Sequence, residues 1–152
     1  MKSTIEDKNK LVNSVFSEVH KKYDLMNDIM SLGIHRAWKE KFINWMNPQP
    51  EAKLIDVASG TGDIAKLFLD ETNNSGEITC IEPNTLMLNQ GKKKLKKYKN
   101  IKWINAPAER IPIGDNTFDY YSISYGIRNV SDINTVLKEA FRVLKPGGRF
   151  MC

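Results

Sequence analysis

The sequence contains few of the residues that build metal sites, disulfide scaffolds or membrane spans. It has two cysteines and two histidines in 152 residues. Cys80 and Cys152 lie far apart, so neither a disulfide framework nor a metal-ligand cluster is indicated. No apolar run approaches the roughly 20 residues that cross a bilayer, and the N-terminus has no apolar signal core and no Arg-rich transit pattern. A cytoplasmic protein without a metal is therefore expected.

Composition otherwise matches one ordinary globular domain, with 41% hydrophobic and 27% charged residues. The net charge of +5 comes largely from a lysine-rich segment at residues 91–99. The simplest interpretation of this segment is the solvated face of a helix. Contact with anionic lipid headgroups is an alternative. Nucleic-acid binding is not expected, because no aromatic stacking platform or recognised nucleic-acid motif accompanies the charge.

Two parts of the chain differ in pattern. Residues 1–50 show helical spacing and end at Pro48 and Pro50, so we predict an N-terminal helical segment there. Its apolar stripes are Leu11, Val12, Val15, Phe16 and Val19, and then Trp38, Phe42, Trp45 and Met46. The tryptophans and methionines are expected in helical core packing, with an apolar tunnel for a lipophilic ligand as the alternative.

From residue 51 onward, short apolar runs alternate with helical patterns, which is typical of βαβ units and a mostly parallel sheet with helices on both faces. Predicted helix boundaries are Asn84 as one cap, Ser131 or Asp132 as another, and a stop at Lys145–Gly148. Such a doubly wound α/β sheet binds its ligand at the carboxyl ends of its strands. The predicted strands lie near 53–58, 77–82, 101–105, 118–124 and 149–152, and the predicted helices near 62–71, 84–98 and 131–144.

The strongest local motif is the turn after the first of these strands. An apolar strand that contains Asp56 runs directly into Gly60, Thr61 and Gly62, and then into a helix. Backbone amides that follow such a turn face a ligand at close range, and glycine permits both the approach and a positive φ. A tight structural turn without a ligand is the alternative.

A second feature supports a nucleotide-like ligand. Glu82 ends the next predicted strand, where nucleotide-binding sheets place the acid that accepts the ribose hydroxyls. NAD and S-adenosylmethionine both stay open on pattern alone, since Ala65 could take the place of a third glycine. Asp56 favours S-adenosylmethionine, because a carboxylate there can hold the cationic amino-acid end of the ligand.

Several longer segments together resemble the ubiquinone/menaquinone biosynthesis C-methyltransferase family. The segments at 23–39 and 124–129 are specific to that family, whereas the glycine turn and the Leu-Lys-Pro-Gly-Gly stretch are common to many class I methyltransferases. The resemblance implies a Rossmann-like class I methyltransferase that uses S-adenosylmethionine to methylate the ring of a polyprenylated benzoquinol or demethylmenaquinol. The matching segments are 15–19, 23–39, 56–63, 115–119, 124–129 and 142–149.

The resemblance also implies the site. Three positions depart from the family pattern, because Ser59 replaces a glycine, Glu82 an aspartate, and Pro107 an asparagine near the adenine. Glu82 still accepts hydrogen bonds from a ribose, whereas Pro107 offers no N–H, so recognition of adenine would rest on neighbours such as the Ala108 amide. The family's cofactor contacts would fall on Thr61, Glu82, Pro107, Ala108 and Ser124, beside Asp56, Gly60 and Gly62 from the turn.

Methylation of a quinol carbon requires activation of the ring, because a phenol with a pKa near ~10 is mostly protonated at neutral pH. Arg128 and Asn129 resemble family residues proposed to organise proton removal, with Tyr23 nearby. Arginine stays protonated, so we assign Arg128 to stabilising the developing phenolate. A surface salt bridge is the ordinary alternative for Arg128, and structural roles are expected for His20 and His35.

By the same resemblance, residues 1–50 are expected to form a helical lid over the cofactor pocket. Residues 51–152 are expected to form an incomplete S-adenosylmethionine-binding domain, with C-terminal strands missing. The expected partner is a lipophilic quinol, and contact with the inner face of a membrane, a quinone-biosynthesis complex and homo-oligomers are further expectations. Three alternatives stay open: a complete methyltransferase for a quinol or another small molecule, a module that binds S-adenosylmethionine without turnover, and a chain used only for association with a partner.

Overall fold

The computed structural model describes residues 34–152, so Tyr23, His20 and the predicted stripe at 11–19 lie outside the described residues. The described part forms four α-helices, five strands and one 3₁₀ turn. In chain order these are α1 Ile34–Met46, β1 Lys53–Val57, α2 Asp63–Glu71, β2 Glu77–Ile81, α3 Thr85–Lys94, β3 Ile101–Ile104, β4 Phe118–Ser122, the 3₁₀ turn Ile127–Asn129, α4 Ile133–Val143 and β5 Leu144–Met151.

All five strands are parallel, in the order β3-β2-β1-β4-β5. The chain moves outward from β1 through β2 to β3, and then crosses back to place β4 on the other side of β1. The order reverses between β1 and β4, and in open α/β sheets this switch point is where ligands bind. The predicted doubly wound α/β fold is confirmed.

Helices cover both faces of the sheet. On one face, Val136, Ala140 and Val143 of α4 pack on Val57 and Tyr121 of the central strands. On the other face, α1 and α2 pack on β1, β2 and β4, with a buried cluster that includes Ile43, Met46, Phe68, Leu54 and Ile78. The strands are therefore buried on both sides, which explains their near-continuous apolar sequence.

Helix α1 differs from its predicted stripe. Ile43 and Met46 are buried and Phe42 is partly buried, but Trp38 is 58% exposed and Trp45 68% exposed. The prediction that both tryptophans belong to the core was wrong, because α1 turns its Ile43 and Met46 side toward α2.

Both predicted helix caps are confirmed. Asn84 caps α3, and its Oδ1 accepts hydrogen bonds from the amides of Leu86 at 3.0 Å and Met87 at 3.1 Å. Asp132, rather than Ser131, caps α4. Helix α3 ends at Lys94, earlier than the predicted residue 98, because the backbone then tightens into a turn in which the Tyr98 amide donates to the Leu95 carbonyl.

Strand β5 begins earlier than predicted. The stretch at 145–148 ends helix α4 as expected, but Leu144 already pairs with Phe118, and pairing resumes with Arg149 opposite Tyr120. The intervening residues bulge from the ladder, and Gly147 adopts a φ of +82°. The predicted strand start at 149 was wrong because a bulge interrupts a strand without ending it.

Candidate functional site

A cavity of about 260 Å³ opens at the carboxyl ends of β1, β2 and β4, at the switch point of the sheet. It is small for a ligand pocket, and its wall comes from loops that follow four strands. Seven of the residues predicted from the sequence contribute to the wall: Gly60, Glu82, Pro107, Ala108, Ser124, Arg128 and Asn129.

The turn after β1 has the backbone shape that the sequence predicted. Gly60 and Gly62 have φ angles of +57° and +86°, a region in which side chains are strained. A Cβ at Gly62 would lie 2.8 Å from Leu95 and from Trp103, so the turn fits closely under α3 and β3. Gly62 is buried, whereas Gly60 is partly exposed and lines the cavity.

Glu82 follows β2 and is 6% exposed. Its Oε2 accepts a hydrogen bond from the Gly60 amide at 2.8 Å, and its Oε1 accepts one from the Asn84 amide at 2.9 Å. Burial raises the pKa of Glu82, and the two backbone hydrogen bonds partly offset this rise. Each carboxylate oxygen has a second acceptor position, so the group can also accept hydrogen bonds from a ligand.

Asp56 lies beneath the cavity rather than in its wall. Its Oδ1 accepts a hydrogen bond from the Ser122 hydroxyl at 2.7 Å, and Oδ2 is buried without a hydrogen-bond partner among the residues that the structure describes. Burial raises the pKa of Asp56 to about 7, although the Ser122 hydrogen bond and the charge of Lys39 oppose the rise. An unpartnered carboxylate oxygen in this position suits a cationic group.

Thr61 is also buried behind the turn rather than in the cavity wall. Its Oγ1 accepts a hydrogen bond from Lys94 at 3.3 Å. The ammonium group of Lys94 also pairs with Asp63 at 2.7 Å, and Lys39 of α1 pairs with the other oxygen of the same carboxylate at 2.5 Å. No local pattern in the sequence indicates these three charged residues, because the paired residues lie 24 and 31 positions apart.

The loop after β3 forms a third side of the cavity through Pro107 and Ala108. The side-chain Nδ2 of Asn105 donates hydrogen bonds to the backbone carbonyl oxygens of Glu82 at 2.8 Å and Pro83 at 2.9 Å. Asn105 thus ties this loop to the loop that carries the buried acid. Sequence reasoning missed Asn105, although a polar residue directly after a strand end was the available signal.

The loop after β4 completes the wall with Ser124, Tyr125 and Gly126, followed by the 3₁₀ turn. A Cβ at Gly126 would lie 2.4 Å from the Cβ of Ala58, so the loops after β1 and β4 are in direct contact. Arg128 is exposed, and within residues 34–152 it makes no hydrogen bond or ion pair, so the salt-bridge alternative finds no support there. Asn129 is partly buried beside it.

An aromatic contact brings helix α1 next to the cavity wall. Trp38 of α1 stacks on Tyr125 with ring centroids 6.4 Å apart, which brings α1 to the rim of the cavity.

Over the described residues, no group of three His, Cys, Asp or Glu side chains is arranged to hold a metal ion, and no helix is long and apolar enough to cross a membrane.

Comparison with known proteins gives a consistent family match. A family model described as the ubiE/COQ5 methyltransferase family matches residues 2–152. A relative from Rickettsia bellii, named ubiquinone/menaquinone biosynthesis C-methyltransferase UbiE, is 51% identical over 96% of this chain and 61% of its own length. The mitochondrial 2-methoxy-6-polyprenyl-1,4-benzoquinol methylase of Dictyostelium discoideum is 45% identical over 97% of this chain and 57% of its own length. The chain therefore spans about three fifths of the length of these relatives.

Solved structures agree with the fold. A SAM-dependent methyltransferase from Aquifex aeolicus superposes with a TM-score of 0.65 at 24% identity, over 71% of this chain and 58% of its own. At this identity the likeness supports the Rossmann-like architecture alone.

Proposed function

We propose that this chain, which belongs to the ubiE/COQ5 methyltransferase family, binds S-adenosylmethionine in the cavity at the switch point and methylates a ring carbon of a polyprenylated benzoquinol or demethylmenaquinol. The observation that carries the proposal is the buried carboxylate of Glu82, which is fixed by the glycine turn and faces the cavity. When bound, S-adenosylmethionine would supply a methyl group on a positively charged sulfur.

Glu82 is the residue that would hold the ribose. Its two hydrogen bonds to backbone amides fix the carboxylate before any ligand arrives. Preorganisation of this kind lowers the entropy lost on binding. The remaining acceptor positions are then available for two hydroxyl donors, a match that a neutral side chain of the same length would lose.

Asp56 fits the cationic part of the ligand. Its buried Oδ2 has no hydrogen-bond partner among the described residues, and a buried carboxylate is costly to ionise without a counter-charge. A nearby cation would favour the ionised form and lower the pKa of Asp56 from about 7. Pro107, Ala108 and Met87 give the cavity an apolar side that suits an adenine ring.

Arg128 and Asn129 would act on the second substrate. A quinol ring becomes a better nucleophile as its hydroxyl loses a proton, and a cation next to the oxygen stabilises that change. Arg128 lines the cavity and has no carboxylate partner in the described part of the chain, so its guanidinium group is available for this role. The predicted contribution of Tyr23 to proton removal lies outside the described residues and stays a prediction.

A lipophilic quinol suggests that the protein contacts a membrane surface, and α1 has a suitable face. Trp38 and Trp45 are exposed, and the ammonium of Lys41 lies 5.2 Å from the Trp45 ring. Tryptophan and lysine are typical of bilayer interfaces, and the lysine-rich segment at 91–99 would add attraction to anionic lipid. A quinone-biosynthesis complex and homo-oligomers stay predictions.

Sedimentation with anionic vesicles tests this contact. We expect Trp45→Ala to weaken vesicle binding severalfold, whereas Phe141→Ala, which removes an aromatic ring that is 86% exposed on α4, should leave it unchanged. Equal loss in both variants, or equal binding to anionic and neutral vesicles, would contradict a specific basic and aromatic surface on α1.

A second candidate function is binding of S-adenosylmethionine without transfer to a quinol. It is favoured by the difference between the two parts of the site, since Glu82 is buried and fixed by two backbone hydrogen bonds, whereas Arg128, the group that would act on a quinol, is exposed. The two candidates differ only in the methyl-transfer step, so one set of experiments separates them.

Calorimetric titration with S-adenosylhomocysteine is the first test. Saturable binding is expected for the wild-type chain, with at least a tenfold loss in Glu82→Ala, because a buried acceptor of charge-assisted hydrogen bonds is removed. Glu77→Ala is the matched control, since Glu77 begins the same strand but is exposed and pairs with the half-exposed Lys53. Absence of binding by a folded wild-type chain would overturn the proposal.

A methyl-transfer assay with a short-chain demethylated quinol then separates the two candidates. Turnover that falls at least tenfold in Arg128→Ala, with unchanged affinity for S-adenosylhomocysteine, supports quinol methylation. Binding of S-adenosylhomocysteine without any turnover by the wild-type chain would leave the binding module as the function.

A further inference from the structure

We infer that Lys39, Asp63 and Lys94 form an ionic clasp that positions the turn at residues 59–62 for ligand binding. The inference rests on the function proposed above. It assigns the three residues a positioning role, because the described contacts place them behind the turn and not in the cavity wall.

The clasp joins three helices through one carboxylate. Asp63 is the first residue of α2 and directly follows Gly62. Its Oδ2 lies 2.5 Å from the Nζ of Lys39 in α1, and its Oδ1 lies 2.7 Å from the Nζ of Lys94 at the end of α3. Both carboxylate oxygens are therefore engaged by lysines from different elements.

Lys94 also contacts the turn itself. Its Nζ donates to the Thr61 hydroxyl at 3.3 Å, so one ammonium group holds two residues that flank Gly62. The other side of the same turn is held by Glu82 through the Gly60 amide. The turn is thus fixed from β2 on one side and from α1 and α3 on the other.

The environment makes this arrangement stronger than a surface ion pair. The side chains of Lys39, Asp63 and Lys94 are 14%, 29% and 32% exposed. Burial raises the pKa of Asp63, but the two lysines more than offset this and hold it at about 2. On the same helix, Lys66 and Asp70 also pair at 2.5 Å but are 44% and 46% exposed. Exposed ion pairs contribute little to stability, so the Lys66–Asp70 pair is a matched control for the clasp.

Lys39 links helix α1 to the residue that follows the turn at residues 59–62. Ile43 and Met46 anchor α1 by apolar contact, whereas Lys39 joins α1 to Asp63 by an ion pair at 2.5 Å, and its charge also opposes the rise in the pKa of the buried Asp56. The Lys39 ammonium group thus acts on the two acids at the ends of the β1–α2 connection, Asp56 and Asp63. Loss of Lys39 should weaken ligand binding without removing any group that lines the cavity.

A double-mutant cycle on S-adenosylhomocysteine affinity tests the clasp. We expect Asp63→Asn and Lys39→Met each to weaken binding about tenfold, and the double variant to bind about as weakly as either one, because residues of one network are not additive. Lys39→Arg should retain most of the affinity, since it keeps the charge. Asp70→Asn should change affinity less than about twofold. Additive losses, or an equal loss in Asp70→Asn, would overturn the inference.

Amide hydrogen exchange in the ligand-free chain provides a test that does not need the proposed function. The Gly62 amide donates to the Ser59 carbonyl at 3.0 Å and the Gly60 amide to Glu82, so their exchange rates measure the order of the turn. Both rates should rise about tenfold in Asp63→Asn and stay unchanged in Asp70→Asn. If the wild-type chain binds no ligand but this rise is seen, the proposed function fails and the clasp stands.

Unchanged exchange at both glycines would overturn the clasp whatever the affinity. If Asp63→Asn does not fold, Lys94→Met replaces it, with Lys93→Met as its control, because Lys93 is an exposed neighbour on α3. The same rise in exchange is then expected for Lys94→Met alone.

Discussion

The Oε2 atom of Glu82 lies 2.8 Å from the amide nitrogen of Gly60, although the two residues are 22 positions apart. The acid that follows β2 thereby braces the turn that follows β1, while its Oε1 fixes the start of its own loop at Asn84. Hydrogen bonds from backbone amides to a carboxylate are stronger than neutral ones. Glu82 is therefore a structural brace as well as the candidate ribose acceptor.

Glu82→Gln should lower the free energy of unfolding by about 1–3 kcal/mol, because the new amide NH₂ cannot accept a hydrogen bond from a backbone N–H that is already buried. Urea denaturation of the two chains measures the difference. Glu77→Gln, at the exposed start of the same strand, should change the free energy by less than about 0.5 kcal/mol. Equal stability of Glu82→Gln and wild type would contradict the bracing role.

Asp56 should make the protein less stable as pH rises. Its folded-state pKa of about 7 exceeds its ordinary value of 3.8, so between these values the folded chain holds a proton that the unfolded chain has lost. Stability contributed by this group is therefore present below pH 4, falls as pH rises toward 7, and is constant above it.

Asp56→Asn removes this titration. The difference in free energy of unfolding, variant minus wild type, should therefore increase by a few kcal/mol from pH 4 to pH 8. One unit of pKa shift corresponds to about 1.4 kcal/mol. Urea denaturation across that range measures it. Asp119→Asn is the control, because the pKa of Asp119 is lowered and its titration lies below this window. A parallel pH dependence in Asp56→Asn and wild type would show that Asp56 titrates normally.

Gly126→Ala should damage the cavity. The added Cβ would lie 2.4 Å from the Cβ of Ala58, so the loops after β1 and β4 must separate, at a cost of about 1–3 kcal/mol in stability. Affinity for S-adenosylhomocysteine should fall with it. Gly114→Ala, whose Cβ would meet nothing within 4 Å, should leave both properties unchanged. Thermal unfolding and calorimetry of the pair give the answer, and equal effects would rule out the contact with Ala58.

Arg142 should stabilise the loop before β4. Its guanidinium group donates to the carbonyls of Ile111 and Ile113 and pairs with Asp115 and Glu139. Arg142→Lys keeps the charge but cannot reach all of these acceptors, so the free energy of unfolding should fall by about 1–2 kcal/mol. Arg110→Lys is an exposed control. Denaturation curves that coincide for wild type and Arg142→Lys would contradict this role.

Local patterns in the sequence predicted most of the sheet but not its interruptions. The strand start at Leu144 was missed because Lys145 to Gly148 contain the residues that normally end a strand, and only pairing with Phe118 and Tyr120 shows that the strand continues through a bulge. Trp38 and Trp45 were misplaced for a similar reason. Helical spacing identifies an apolar stripe, but the packing partner decides which side of the helix is buried.

The candidate site divides in the same way. Gly60 and Glu82 could be predicted because their residue types and spacing follow from the shape of a strand-turn-helix unit. The clasp could not be predicted, and neither could the partners of Asn105, because the order of the strands and helices brings these groups together. The unpartnered oxygen of Asp56 is likewise a property of depth in the sheet, which the sequence position alone does not determine.

The wall of the cavity is built from residues between Ala58 and Ser131. The loop after β3, which forms one side of it, is held by α4, where Glu139 accepts a hydrogen bond from the amide of Ile111. Synthesis from the N-terminus therefore produces every residue of the wall before the helix that fixes its shape. A nascent chain that ends at Ser131 would contain the groups that recognise a ligand but not the helix that fixes their positions. Ligand binding during synthesis must therefore wait until α4 has emerged from the ribosome.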